Sequence, residues 1–425
     1  MGHIVQSATL ARLIDELAAG ITDAVDRFWS RIEATGTPIF EPVEDQPDLR
    51  LVTFVWRASG PVENVLLMEW FTDRDFPAKG MEQIPETDIW FASFVMRSDV
   101  RSTYQFAEND SLTPRTDEKD WEARFAKMQH DPFNPLTFKL EASARRGAKA
   151  VDPVESILEL PDAAPQPWFG RRPGVASGTV RKHRSASGHL GNERDLWLYE
   201  PAKADAEGLV IAFDAERWND NCDLPSTLDN LIAAGEIPPV VAVMLGNVDR
   251  NLELPCYPPF AAYIADELVP WIRSETGLAL PAERVIACGH SYGGLASMFV
   301  ALERPEVVGN VLSQSGSYWW KPDVKRDEEP VIGEAPDYAV LPTRVAREGM
   351  PPVRIYMDAG RMENRAFLAG APSLLGANRH MRDVLTALGA DLEYREFAGG
   401  HDAVWWRSTV ADGLTWITRD WAAIG

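Results

Sequence analysis

A serine that could act as a nucleophile stands in the stretch Gly289-His290-Ser291-Tyr292-Gly293. The stretch follows an apolar run at residues 284–288 and opens a second apolar run that ends at Leu302. Between a strand and a helix, Gly-x-Ser-x-Gly is typical of a nucleophile elbow, a turn so tight that glycines must flank the serine. The pattern predicts that Ser291 is a nucleophile, with an ordinary glycine-rich turn as the alternative interpretation.

A histidine near the end of the chain is the candidate base for this serine. A serine hydroxyl is a weak nucleophile at neutral pH and needs a base to take its proton. In hydrolases that carry this elbow, the chain order is serine, acid and then histidine. His401 lies in Gly399-Gly400-His401-Asp402, directly after a strand-like stretch that ends at Phe397. We therefore predict that His401 is the general base.

Two carboxylates compete for the role of the acid that orients the histidine. The acid should come from the loop after the strand-like residues 353–357. Asp358 stands at the very end of that strand, whereas Glu363 follows Gly360 by three residues. That offset lets a loop curl back under the histidine, so we favour Glu363 and keep Asp358 as the alternative. For either residue, a loop or N-cap carboxylate is the purely structural interpretation.

Two backbone amides are predicted to form an oxyanion hole. One comes from the residue after the nucleophile, Tyr292, and the other from the loop after an earlier strand. The stretch Phe213-Asp214-Ala215-Glu216-Arg217-Trp218 is that loop. We expect the amide of Glu216, and not its carboxylate, to serve as the second donor.

Strand-like and helix-like segments alternate from about residue 176 onward. The strand candidates lie near residues 195–199, 209–213, 240–245, 285–287, 308–312, 353–357 and 392–397. Helical apolar spacing occurs near residues 260–275, 294–303, 374–388 and 403–421. The alternation predicts an α/β domain over residues 176–425, with ligands bound at the carboxyl ends of the strands.

Residues 1–175 are predicted to form a separate N-terminal domain. Apolar residues recur every three or four positions from Leu10 to Ile32, between Ser7 as a candidate N-cap and Gly36 as a stop, so one leading helix is expected. Short stretches with a period of two follow and predict a β-sandwich. Proline-rich segments at residues 131–135 and 161–173 mark the connection, and we place the boundary near residue 175.

Charge and cysteine content narrow the classes of function. The formal net charge of −22 disfavours binding to nucleic acid or to anionic membrane surfaces. Cys222, Cys256 and Cys288 lack metal-ligand spacing, so we expect neither a zinc site nor a disulfide framework. The chain shows no apolar run of membrane-spanning length and no secretory signal pattern, so a cytoplasmic protein is expected.

Further motifs surround the catalytic candidates in both halves of the chain. They are Asp131-Pro132-Phe133-Asn134-Pro135, the loop 213–218, Arg250-Asn251-Leu252-Glu253-Leu254-Pro255-Cys256, Ser313-Gln314-Ser315-Gly316-Ser317-Tyr318-Trp319-Trp320 and residues 399–407. Together with the elbow, they resemble those of the enterochelin (enterobactin) esterases. The resemblance implies an N-terminal sandwich domain ahead of an esterase-D-like α/β-hydrolase, which opens the serine triester of ferric enterobactin inside the cell.

The residues give partial independent support for such a ligand. A ferric tris-catecholate is a trianion with aromatic faces, so arginines and aromatic walls suit it. Candidates of both kinds lie in the motifs around the catalytic residues. We predict that the substrate is bound by Arg217, Arg250, Trp218, Trp319 and Trp405. The alternative interpretations are core packing for the tryptophans and solvated ion pairs for the arginines.

The sequence thus predicts a two-domain serine esterase whose partner is a small catecholate siderophore. We expect no metal or other cofactor of its own, the iron being part of the substrate, and no nucleic-acid or membrane partner. The protein is expected to be a monomer or a homo-oligomer. The alternatives are a carbohydrate-ester hydrolase, such as a feruloyl or acetyl esterase with a carbohydrate-binding sandwich, and a non-catalytic siderophore-binding protein.

Overall fold

A computed structural model describes residues 7–72, 74–115, 117–139, 154–202, 205–322, 338–366 and 370–421. The chain divides into two compact units, Met1–Pro165 and Gln166–Gly425. This division precedes the predicted boundary near residue 175, because the segment after Pro165 bonds to the second unit. The side chain of Gln166 donates to the carbonyl of Val404, and Asn230 Nδ2 donates to the carbonyl of Trp168 at 2.9 Å.

The first unit contains two four-stranded antiparallel sheets. Its elements are α1 (Ala8–Ala18), α2 (Ala24–Thr35), β1 (Ile39–Val43), β2 (Gln46–Arg57), β3 (Val65–Glu69), β4 (Glu82–Gln83), β5 (Ile89–Arg97), β6 (Arg101–Glu108), α3 (Trp121–Phe125), β7 (Thr137–Lys139) and β8 (Val154–Glu159). The sheet orders are β1-β2-β5-β4 and β3-β6-β8-β7. Rings from the two sheets interdigitate, with Phe54 4.8 Å from Tyr104 and Trp56 5.0 Å from Phe106. This packing confirms the predicted β-sandwich.

The predicted single leading helix is wrong, because the segment folds as two helices. Ser7 does cap α1, accepting a hydrogen bond from the amide of Leu10 at 3.3 Å, and Gly36 ends α2 with a φ of 79°. Between them the chain turns at Gly20, whose φ is 72°. Leu10 and Ile32 belong to the same core cluster. Both helices therefore place apolar residues in one core, so the apolar spacing continues past Gly20 and gives no sign that the helix is interrupted there.

The second unit contains one eight-stranded sheet covered by helices. Its elements are β9 (Thr179–Ser187), β10 (Asn192–Glu200), β11 (Gly208–Phe213), α4 (Ala215–Asp220), α5 (Leu224–Ala234), β12 (Val240–Leu245), α6 (Arg250–Glu253), α7 (Pro258–Ala262), α8 (Val269–Thr276), β13 (Val285–His290), α9 (Tyr292–Glu303), β14 (Asn310–Gln314), α10 (Val340–Glu348), β15 (Arg354–Gly360), α11 (Leu374–Ala387), β16 (Asp391–Phe397) and α12 (Ala403–Thr418). A π-helical turn, Tyr263–Leu268, joins α7 to α8. The strand order is β16-β15-β14-β13-β11-β12-β10-β9. Strands β11 to β16 run parallel, and β9 and β10 are antiparallel additions at one edge.

Helices cover both faces of this sheet. Val311 of β14 lies in the core cluster that also holds residues of α9 and α11. Its neighbour Leu312 points to the opposite face, as successive strand residues do, and approaches Gly413 of α12. Both faces are therefore buried, which explains why the central strands are almost uniformly apolar. This is the α/β-hydrolase fold that the sequence predicts.

The turn between β13 and α9 depends on the absence of a side chain at Gly289. A Cβ at this position would lie 2.5 Å from the carbonyl carbon of Gly293. We expect Gly289→Ala to lower the free energy of unfolding by about 1–3 kcal/mol, the usual cost of overpacking, as measured by urea denaturation. Gly60→Ala is the control, since a Cβ there would meet no atom within 4 Å. Equal stability of the two variants would contradict this account of the turn.

Candidate active site

Ser291 lies at the tip of the central strand in a strained conformation. Its φ is 57° and its ψ is −120°, angles that a residue with a side chain rarely adopts. The amide of Ser291 donates to the carbonyl of Gln314 at 2.9 Å, which ties the turn to β14. Strain of this kind persists only where the surroundings enforce it, and it concentrates at functional sites. The conformation matches the predicted nucleophile elbow.

Glu363 is joined to His401 by a hydrogen bond. His401 Nδ1 lies 3.0 Å from Glu363 Oε1, and the glutamate side chain is 1% exposed. The loop after β15 does curl back on the loop after β16, because Arg361 N donates to the carbonyl of Phe397 and Met362 N to that of Gly399, both at 2.9 Å. A buried carboxylate on Nδ1 fixes the ring so that Nε2 is the nitrogen available for base catalysis.

Asp358, the alternative acid, has a different environment. It is buried at the end of β15, and its backbone carbonyl accepts from the amide of Ser315 at 2.8 Å. Burial, which disfavours the charged form, raises the pKa of Asp358 to about 8. A carboxyl that is mainly protonated at neutral pH cannot stabilise an imidazolium. The geometry therefore favours Glu363 over Asp358 as the partner of His401.

The hydroxyl of Ser291 is engaged by another serine. Its Oγ lies 3.3 Å from the Oγ of Ser317. Within the described part of the chain, this is the hydrogen bond that the Ser291 hydroxyl makes. The ring of His401 instead packs edge-on against Trp406, with centroids 4.8 Å apart. In unliganded hydrolases the bond between nucleophile and base is often long and tightens only when substrate is bound.

The two predicted oxyanion donors both lie at helix N-termini. Tyr292 is the first residue of α9 and Glu216 the second residue of α4. The first amides of a helix have no acceptor within the helix and point out of its N-terminus. The strands that precede these helices, β11 and β13, are parallel neighbours in the sheet. Both amides therefore lie at the same edge of the sheet.

Asp214, which the sequence reasoning did not single out, anchors the loop that carries Glu216. Its φ is 72°, and its carbonyl accepts from the amide of Arg217 at 3.0 Å. Its carboxylate accepts from Arg250 Nε at 2.6 Å and Nη2 at 2.8 Å, and from Asn247 Nδ2 at 2.7 Å. Burial opposes ionisation of Asp214, but the charge and hydrogen bonds of Arg250 outweigh it and hold its pKa well below the ordinary value.

The ion pair between Asp214 and Arg250 gives a prediction for stability. The lowered pKa means that Asp214 stabilises the fold above the unfolded-state pKa of about 3.9, and that this contribution is lost as the pH falls further. We expect Asp214→Asn to lower the free energy of unfolding at pH 7 by about 3–5 kcal/mol, because Arg250 is left unpaired. Urea denaturation at pH 7 and at low pH measures the change. The difference in the free energy of unfolding between variant and wild type should become smaller in acid.

A surface carboxylate provides the control for this measurement. Asp391 accepts from Arg354 at 2.9 Å, but its side chain is 48% exposed. Asp391→Asn should lower the free energy of unfolding by less than about 1 kcal/mol, since exposed ion pairs contribute little to stability. Equal losses in the Asp214 and Asp391 variants would contradict the anchoring role of Asp214.

The predicted arginines both pack against aromatic rings of the site. Arg217 Cζ lies 5.4 Å from the ring centroid of Trp406, and Arg250 Cζ lies 5.4 Å from that of Tyr292. Both arginines are partly exposed, and two nitrogens of Arg250 bond to the carboxylate of Asp214. Arg250 therefore serves mainly as the anchor of Asp214.

The predicted tryptophans are buried and expose little surface to a ligand. Trp218 is fully buried, with its Nε1 donating to the carbonyl of Phe213 at 2.7 Å, so its predicted contact with substrate is corrected to core packing. Trp319 and Trp405 are 7% and 5% exposed. The ring of Trp405 stacks on that of Phe397 at 5.2 Å. Little of either side chain therefore reaches the surface.

Trp406, which is absent from the predicted site residues, lies between two histidines. Its ring stacks on that of His290 at 4.5 Å with an interplanar angle of 16°, and its Nε1 donates to Ser315 Oγ at 3.1 Å. Burial drives the pKa of His290 well below its ordinary value, so this ring is neutral. Through the edge contact with His401, Trp406 fixes the position of the predicted base. The pairing of Trp405 and Trp406 beside His401 in the sequence is the signal that would have identified it.

The described residues place limits on other kinds of site. They include no group of three or more His, Cys, Asp and Glu side chains arranged to hold a metal ion. None of the helices over these residues has the length and apolar character to cross a membrane. Cys222, Cys256 and Cys288 form no disulfide.

Both units match known protein families. Residues 187–417 match the family described as "Putative esterase", and residues 51–169 match the family described as enterochelin esterase, N-terminal. Among solved structures, the ferric enterobactin esterase of Salmonella typhimurium has a TM-score of 0.74 at 25% identity. That comparison covers 93% of this chain and 98% of the other.

Curated relatives match over almost the whole chain. The iron(III) salmochelin esterase of Escherichia coli O6:H1 is 30% identical over 96% of this chain and 97% of its own length. The iron(III) enterobactin esterase of Dickeya dadantii is 28% identical over 97% of this chain and 96% of its own length. With both domain families matched in order and relatives of equal extent, the chain belongs to the enterochelin esterase family.

Proposed function

We propose that this protein is a serine esterase that hydrolyses the ester bonds of a ferric catecholate siderophore such as enterobactin, and thereby releases iron inside the cell. The observation that carries the proposal is the 3.0 Å hydrogen bond between His401 and the buried Glu363, at the sheet edge where the strained Ser291 lies. This pair can activate the partly exposed Ser291 for hydrolysis. The names of the full-length relatives supply the substrate class.

The proposed mechanism gives each of these groups a defined role. His401 takes the proton of Ser291 as Oγ attacks an ester carbonyl carbon, and the Glu363 carboxylate stabilises the imidazolium. The amides of Tyr292 and Glu216 bind the tetrahedral oxyanion. The carbon–oxygen bond to the leaving serine hydroxyl breaks, and His401 protonates that oxygen. His401 then activates a water that hydrolyses the acyl-enzyme and restores Ser291.

The charge distribution supports an anionic substrate that is bound by a local cation. The chain carries a net charge of −22, so an anion must be attracted by a local group of cations. Arg217, whose guanidinium lies over the buried ring of Trp406, provides a partly exposed cation at the same edge of the sheet as Ser291. A ferric catecholate carries the negative charge that such a cation attracts. We assign Arg217 to substrate binding, with the small exposed parts of Trp319 and Trp405 as secondary contacts and Arg250 mainly as the anchor of Asp214.

The proposal extends to the setting of the reaction. We place it in the cytoplasm and assign no resident metal or cofactor, the iron entering and leaving with the substrate. The partner is a small molecule, and neither nucleic acid nor a membrane takes part. The active protein is a monomer or a homo-oligomer, which light scattering during size-exclusion chromatography distinguishes.

Substrate preference is the test of this function. Initial rates are compared for ferric enterobactin, iron-free enterobactin, a feruloylated polysaccharide and an acetylated polysaccharide. We expect rapid cleavage of the catecholate triesters and only background release of ferulate or acetate. Release of ferulate or acetate without cleavage of either triester would assign the protein to the carbohydrate esterases instead.

A further inference from the structure

We propose that Ser317 is a further catalytic residue, whose hydroxyl donates a hydrogen bond to the Oγ of Ser291 while that oxygen attacks the ester and again while it leaves the acyl-enzyme. The inference rests on the proposed role of Ser291 as nucleophile. It adds a hydrogen-bond donor to the reacting oxygen, alongside His401, which takes the proton in the proposed mechanism.

The positions of the two hydroxyls carry this inference. Ser317 Oγ lies 3.3 Å from Ser291 Oγ, and Ser317 is 1% exposed. Within the described ranges of the chain, the Ser317 hydroxyl has no other hydrogen-bond partner. The backbones are also joined, because Ser317 N donates to the carbonyl of Ser291 at 3.0 Å. A hydroxyl shielded from water is thus held next to the nucleophilic oxygen.

The turn that carries Ser317 is held in a strained conformation from several sides. Ser315 has a φ of 48°, and its Oγ accepts from the indole of Trp406. Asn378 Nδ2 donates to the carbonyl of Gly316 at 2.8 Å. A Cβ at position 316 would lie 2.5 Å from the ring of Tyr318, so only glycine fits. Such over-determination is typical of sites where geometry matters for function.

The turn does not need the Ser317 hydroxyl for its own hydrogen bonds. The amide of Ser317 donates to the carbonyl of Ser291, and the carbonyl of Ser317 accepts from the amide of Trp320 at 3.0 Å. Removing Oγ therefore leaves the backbone bonds of the turn intact. The nearby Ser313 differs, because its Oγ accepts from the Tyr318 hydroxyl at 2.7 Å and, among the described residues, makes no hydrogen bond to Ser291. A purely structural role thus fits Ser313 and not Ser317.

The chemistry assigns the direction of the bond. When the proton of Ser291 passes to His401, negative charge develops on Oγ, and a hydrogen bond to a charged acceptor is stronger than one to a neutral acceptor. In the acyl-enzyme, Oγ is an ester oxygen and accepts only weakly. When the acyl group is lost, charge returns to Oγ and the bond strengthens again. Ser317 keeps its proton throughout.

A covalent probe measures this effect apart from substrate binding. A fluorophosphonate forms a phosphorus–oxygen bond to the activated serine and expels fluoride, so its second-order rate constant reports the reactivity of Ser291. We expect Ser317→Ala to lower that constant by about 10- to 100-fold, the effect of one hydrogen bond to a charged oxygen. The kcat for enterobactin should fall by a similar factor while KM changes by less than about twofold.

Ser313→Ala is the matched control, since it removes a buried hydroxyl from the same segment. It should lower the melting temperature but leave the rate constant for the fluorophosphonate unchanged. An unchanged rate constant in Ser317→Ala, or an equal fall in both variants, would overturn the inference. Failure of the probe to label Ser291 in the wild-type protein would instead refute the proposed nucleophile, so the two failures are distinguishable.

Discussion

Ser291→Ala is expected to lower kcat for a simple chromogenic ester by about 10⁴- to 10⁶-fold, the loss seen when the nucleophile of a catalytic serine is removed. The reason is that the strained turn at the tip of β13 presents the Oγ of Ser291 to a substrate, and alanine has no oxygen to attack the ester carbonyl. The residual rate should be that of water attack assisted by the oxyanion amides. Steady-state kinetics with a nitrophenyl ester measure the change.

Ser297→Ala is the control for this variant. Ser297 is a buried serine one turn into α9, and its Oγ donates to the carbonyl of Gly293 at 2.8 Å. It lies near the elbow without reaching its surface, so its removal should leave kcat within about threefold of wild type. An Ser291→Ala protein that folds and retains wild-type turnover would show that the nucleophile lies elsewhere.

Glu363→Gln is expected to produce the second largest loss, a fall in kcat of about 10³- to 10⁴-fold. Glutamine keeps the shape of the side chain but removes the charge that stabilises the imidazolium form of His401. The amide also presents a donor or an acceptor to Nδ1 without fixing the tautomer. KM should change little, because Glu363 is buried and contacts the histidine and not the ligand.

Asp358→Asn is the matched control for the acid. With a pKa of about 8, Asp358 is already mainly protonated at pH 7. The neutral asparagine of the variant should therefore leave kcat within about threefold of wild type. A folded-state pKa above the ordinary value of about 3.9 means that Asp358 costs stability as the pH rises toward 8. The variant should therefore be at least as stable as wild type at pH 8. A larger loss of kcat in Asp358→Asn than in Glu363→Gln would reverse the assignment.

The predictable part of the site consists of residues whose local sequence determines their position. Ser291 is flanked by glycines that the turn requires, and His401 follows the last strand directly. Glu363 is three residues beyond Gly360, and that short offset is enough to bring the loop back to the histidine. In each case a strand end and a few loop residues fix the geometry, so pattern and spacing suffice.

The parts that escaped prediction depend on contacts between distant segments. The bond from Arg250 to Asp214 joins residues 36 positions apart, and no local pattern reveals it. The burial of Trp218 depends on how α4 packs behind the elbow. Ser317 lies within the motif of residues 313–320, but its position beside Ser291 depends on β14 ending next to β13.

The main elements of the fold were also predictable from the sequence, but some of its details were not. Alternating apolar segments indicated the parallel sheet, and residues with a period of two indicated the sandwich. The break at Gly20 was hidden because α1 and α2 bury their apolar sides in one core. The edge strand β9 escaped because it is largely exposed and reads as polar.

The most direct test of the account follows intact ferric enterobactin by liquid chromatography and mass spectrometry in the presence of wild-type protein and of Ser291→Ala. Wild type is expected to convert the trilactone into linear esters and then into 2,3-dihydroxybenzoylserine, whereas Ser291→Ala should leave it intact. Persistence of the trilactone with a wild-type protein that still cleaves a nitrophenyl ester, or equal conversion by the Ser291→Ala protein, would contradict the proposed function.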